Sequence, residues 1–148
     1  MYRIYVSGRR TRELNHQSTR WTFLIAPAIR VIFELSLLAL DKSCNEIHLP
    51  NIGVSAKHKE NVSYVHSLFK NNKFQDYLQA GRIVFDTYQE AHNVIENTDF
   101  GESVEYSSLG SHKSMKDYDI DTIMRLSNDA VLFAMLCQQY VQFKKQGV

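Results

Sequence analysis

Residues Trp21 to Leu40 form the longest apolar stretch of the chain, and they constrain its fold more than any other segment. A membrane span requires about 20 predominantly apolar residues with few or no charges. Arg30 and Glu34 interrupt this stretch near its centre, Pro27 breaks it early and Ser36 adds a further polar group. The stretch therefore reads as core. Trp21 to Ile25 fits a short strand or a helix entry. Pro27 then stands where a first helical turn tolerates a missing N–H. Ala28 to Leu40 is helical in composition and apolar nearly all round. Such a helix buries most of its surface, against a core or against another subunit.

The chain of 148 residues is expected to form one domain, with 44% hydrophobic and 22% charged residues. Cys44 and Cys137 lie far apart among apolar neighbours and read as two buried free thiols in a reducing compartment. No apolar h-region follows the first basic residues, so a cytoplasmic location is expected, with no membrane segment.

Charge is segregated. Arg3, Arg9, Arg10, Arg12, Arg20 and Arg30 face a single acid, Glu13, in the first thirty residues, whereas the whole chain carries a net charge of only +1. From Asp86 to Asp121 nine acids outnumber Lys113 and Lys116. This pattern argues against a general nucleic-acid binder, which needs a broader basic excess. It suits a local anion site, an acidic docking face, or two complementary halves of one fold.

Tyr2 to Ser7 is rich in β-formers and reads as a first strand ended by Gly8, followed by a polar loop from Arg9 to Arg20. Glu46 to Pro50 reads as a second strand. Val62, Val65, Leu68 and Phe69 fall at helical spacing, Asn71-Asn72 ends that helix, and Phe74, Tyr77 and Leu78 add turns capped by Gly81. Arg82 to Tyr88 reads as the clearest strand, with a short helix from Gln89 to Glu96 after it. Thr98 to Lys113 reads as a long surface loop, with one small strand at Ser103 to Tyr106. Tyr118 to Lys145 is either one long helix, on the stripe Leu126, Ala130, Phe133, Cys137 and Tyr140, or a helix, a strand over 130–136 and a final helical turn. Alternating strands and helices predict a three-layer, Rossmann-like α/β domain, with a small, mostly parallel sheet flanked by helices.

In such a sheet, ligands bind at the edge where the strands end. Ser7, Gly8, Arg9 and Arg10 follow the first strand, where a glycine admits a phosphate close to the backbone and arginine supplies paired donors. The alternative is a solvated basic turn. Asn51 and Gly53 follow the second strand and would line the same edge. Asp86 and Glu90 end the third and supply a general base, ribose ligand or nucleophile. The competing reading is that Asp86 or Thr87 caps a helix and Glu90 is solvated. The six histidines show no metal-ligand spacing, so neither a metal nor a cofactor is expected.

Tyr5-Val6-Ser7-Gly8-Arg9, and the segment from Lys116-Asp117-Tyr118-Asp119-Ile120 to Asn128-Asp129-Ala130-Val131-Leu132-Phe133, resemble SLOG-type Rossmannoid proteins and nucleoside 2-deoxyribosyltransferases. The likeness covers about a third of the chain. It implies binding of a nucleotide or nucleoside and chemistry at an N-glycosidic bond. The glycine-rich second motif and the glutamate-bearing late helix of that family are absent, so no nucleophile role is carried over to Glu90.

Three functions follow as expectations. The first is a small protein binding a nucleotide-like or other phosphorylated ligand and acting on an N-glycosidic or phosphate bond. The second is a non-enzymatic interaction module, an adaptor, inhibitor or immunity-type protein, using the acidic 86–121 segment with Tyr106 and Tyr118. The third is a self-assembling subunit, a homo-oligomer.

Overall fold

The computed structural model describes residues 7–82, 84–109 and 119–147, with side chains from Ile25 onward in the first helix and up to Ser107 in the fifth. The described residues form six helices: α1 (Ser7–Ser43), α2 (Ser55–Phe69), α3 (Asn72–Gly81), α4 (Tyr88–Asn97), α5 (Phe100–Leu109) and α6 (Ile120–Lys145). No strand occurs among them. The α/β, Rossmann-like expectation is thereby overturned, and with it the sheet edge that was to gather a ligand site.

Each replaced strand has a local reason. Of the first predicted strand, Tyr2 to Val6 lie outside the described residues, while Ser7 opens α1. The predicted basic loop Arg9 to Arg20 is part of the same helix. Glu46 to Pro50 is an irregular connection whose polar backbone is satisfied by side chains. Asp41 Oδ1 accepts from the Leu49 N–H at 2.8 Å, and Asn61 Nδ2 donates to the Pro50 carbonyl at 3.0 Å. Arg82 and Val84 adopt φ of 47° and 73°, incompatible with a strand despite the β-forming Ile83-Val84-Phe85. With no strand among the described residues to pair with, that propensity has no ladder to express it. The predicted small strand at Ser103 to Tyr106, within the predicted surface loop, is instead part of α5, whose N-terminus is capped by Asp99 Oδ1 accepting from the Glu102 N–H at 2.9 Å. Residues 130–136 are helical, so the single-helix alternative describes the C-terminal region.

α1 runs through Pro27 instead of starting there. A proline inside a helix costs about 3 kcal/mol. Burial of Ala26 and Ile29 on either side, followed by Phe33, Leu37 and Leu40, offsets that cost. These residues face Leu126, Ala130, Phe133, Cys137 and Tyr140 of α6, also buried. Phe33 meets Phe133 at a centroid distance of 5.2 Å, and Lys144 pairs with Glu46 at 3.2 Å just beyond the end of α1. α1 and α6 are therefore parallel, with residue n of one roughly level with residue n + 100 of the other.

The other helices cover one side of this pair. α5 packs on α1, α2 and α6, while α3 touches α6 and carries α4. Phe69, the last residue of α2, is the hub, with ring contacts to Phe74, Phe100, Phe133 and Tyr140 at 5.7–6.5 Å. Each such pair contributes about 0.5–1.5 kcal/mol beyond its buried area.

Candidate functional site

α6 carries two apolar seams. Ile123, Leu126, Ala130, Phe133, Cys137 and Tyr140 follow one another at steps of three and four and face the core. Met124, Val131, Met135, Gln138 and Gln142 line the opposite side at steps of seven, four, three and four. α1 repeats the arrangement: Val31, Leu35 and Ala39 lie off the core stripe. Leu35 is 59% exposed, Val31 42%, Val131 50% and Met135 42%, although all four are large and apolar.

Between the two outward seams runs an open groove of about 410 Å³, lined by Ile32, Leu35, Ser36 and Ala39 of α1 and by Ala134, Gln138 and Val141 of α6, among others. None of its lining residues is charged. The Ser36 hydroxyl donates back to the Ile32 carbonyl at 2.7 Å, so it makes little polar demand on an occupant. Among the described side chains, charges appear on this face only where it ends. Lys42 and Lys145 lie at the C-terminal end, and Asp119 and Asp121 at the start of α6.

The groove offers packing and little reactivity. Cys137 lines it, but burial pushes that thiol far above its ordinary pKa, and the Cys44 thiol is raised for the same reason. Both are free and buried, and neither is poised as a thiolate at neutral pH. Among the described residues no group of histidine, cysteine and carboxylate side chains is arranged to hold a metal, and no helix is long and apolar enough to cross a membrane.

The sequence-predicted ligand residues fall on separate elements. Ser7, Gly8, Arg9 and Arg10 form the first turn of α1, and their side chains lie outside the description. Asn51, with φ of 57°, and Gly53 occupy the connection from α1 to α2. Asp86 is exposed in the connection from α3 to α4, and Glu90 is exposed in the first turn of α4. There Thr87 Oγ1 accepts from the Glu90 N–H at 3.1 Å, which is helix capping.

The acidic segment is likewise divided. Glu105 pairs with Lys59 at 2.6 Å across α2 and α5, and Glu96 of α4 pairs at 3.7 Å with Lys70, which follows α2. Tyr106 is exposed, whereas Asp117 and Tyr118 lie outside the described residues. The sequence reading left Ala28 to Leu40 open to a core or a subunit contact but identified no groove, because the outward residues of α6 were not read as a second face. The signal available was a second apolar line along α6, Met124, Val131 and Met135, seven and four residues apart, two turns and one turn of a helix. No family model, curated protein or solved structure matches the chain.

Proposed function

We propose that this chain is a helical protein-interaction module that docks a partner through the outward face of α1 and α6. The observation carrying this reading is the uncharged groove flanked by exposed Val31, Leu35, Val131 and Met135. Contiguous apolar surface of this kind is costly in water and marks interaction sites. Its long, two-seamed shape suits a helical surface, whose side chains enter such a groove at steps of three and four. This face replaces the acidic 86–121 segment as the contact surface, because part of that segment is occupied by ion pairs within the chain.

A photo-crosslinking amino acid at position 35 or 135 tests the reading, with position 64, exposed on α2, as control. Adducts to an identified protein, reproduced with that protein purified, are expected from 35 and 135 and not from 64. Adducts distributed equally over all three positions, or none at 35 and 135, overturn it. A phosphorylated-ligand function predicts instead a dose-dependent rise in melting temperature with nucleotides.

A further inference from the structure

We infer that the occupant of the α1/α6 face is a second copy of this chain, packed antiparallel about a two-fold axis near Phe33 and Phe133. The inference rests on the docking reading above and names the partner.

Four observations carry it. The first is composition. In a two-fold contact, residues near the axis meet their own copies. Like charges there would repel, and a charged or strongly polar partner would leave its own groups unpaired. The residues in the middle of this face are Val31, Leu35, Ser36, Ala39, Val131, Ala134, Met135 and Gln138, none of them charged. Gln138 both donates and accepts, so it can pair with itself.

The second is symmetry of placement. Val31 and Leu35 centre on level 33 of α1 and Val131 and Met135 on level 133 of α6, with Met124 and Ile120 extending the exposed apolar surface toward the start of α6. Level 133 is also midway between Asp121 and Lys145.

The third is charge complementarity. Asp121 stands three residues before Met124 on the outward seam of α6. Lys145 stands three residues after Gln142 on the same seam, and Lys42 three residues after Ala39 on α1. An antiparallel two-fold through level 133 brings the lysine end of each copy to the aspartate end of the other. A parallel arrangement would bring lysine to lysine. The antiparallel sense also opposes the macrodipoles of α1 and α6, which are parallel within one chain.

The fourth is size. From Asp121 to Lys145 the face runs about 36 Å, and two adjacent helices are about 20 Å wide. The product, about 700 Å² per copy, approaches the roughly 800 Å² that a specific interface takes from each partner.

Sedimentation velocity of the intact chain, from low micromolar concentration upward, tests the inference. Wild type is expected to sediment as a dimer with a micromolar or tighter dissociation constant. Leu35→Glu and Met135→Glu, at exposed sites, are expected to give folded monomers, with helicity by circular dichroism as the control. Lys145→Glu alone and Asp121→Lys alone are expected to weaken the dimer several-fold, and the two together to restore most of it. A wild-type monomer throughout the range overturns self-association. If position-35 adducts then identify a different protein, the docking reading survives and only the choice of partner fails. A wild-type dimer unaffected by both glutamate substitutions places the interface elsewhere. A double charge reversal no tighter than either single reversal excludes the antiparallel register.

Discussion

Arg82 carries the left-handed turn that ends α3, with φ of 47° and its N–H donating to the Gln79 carbonyl at 3.0 Å. The neighbouring Gly81, the expected cap, is still helical. A side chain in this backbone region is strained where glycine is not. Arg82 is exposed and its replacement loses no packing. Arg82→Gly is therefore expected to stabilise the protein by about 0.5–1 kcal/mol in urea unfolding, net of the extra freedom glycine gives the unfolded chain. Gly101 acts by space. A Cβ there would stand 2.5 Å from Ser63 Oγ, where α5 crosses α2. Gly101→Ala gains about 1 kcal/mol of helix propensity but forces Ser63 to move. The Gly101→Ala, Ser63→Ala pair is expected to be more stable than Gly101→Ala with Ser63 in place, as a double-mutant cycle reads directly. At this scale the sequence was partly legible: Thr87 was recognised as a capping candidate, but which residue takes a positive φ depends on where the helix stops.

The helices owe their limits to caps that can be removed one at a time. Asn71 Oδ1 accepts from the Lys73 and Phe74 N–H groups at 2.8 and 3.4 Å, and Asp119 Oδ1 accepts from the Thr122 N–H at 2.7 Å. Asn71→Ala is expected to cost about 1 kcal/mol, measured by the shift in unfolding midpoint. The α5–α6 junction supplies a pH test. Ser103 donates to the half-buried Asp129 carboxylate at 2.6 Å, and burial raises that carboxyl above the usual range. The native state then takes up this proton at a higher pH than the unfolded chain. Stability from this group rises as pH falls through the raised value and is complete below the unfolded value, near 3.9. An asparagine amide in its place would still accept from Ser103 but would not ionise. Asp129→Asn is expected to raise the melting temperature at neutral pH, with the advantage over wild type shrinking as pH falls. An advantage independent of pH contradicts the buried-carboxylate explanation.

Long periodic elements were the most legible. Val62, Val65 and Phe69 marked α2, and Leu126 to Tyr140 marked the core stripe of α6. Short apolar runs were not, because Ile83-Val84-Phe85 and Glu46 to Pro50 carry β-forming composition without partners to make a sheet. Ser103 and Ser107 hid α5, since buried serines at helical spacing look like a polar loop until their hydroxyls find Asp129 and the Val104 carbonyl.

At the scale of the whole molecule, two parallel helices share one core on their inner side and one uncharged groove on their outer side. The sequence showed that Ala28 to Leu40 was apolar nearly all round, but only the parallel register of α1 and α6 joins two outward seams into one surface. The rate of peroxide oxidation at Met135, followed by mass spectrometry at a fixed concentration above the dimer's dissociation constant, tests that surface most directly. If the face is covered by a second copy, Leu35→Glu, on the other helix, uncovers Met135 and speeds its oxidation several-fold over wild type. Equal rates in the two proteins would mean that Met135 already stands open to solvent, and would contradict docking at this face.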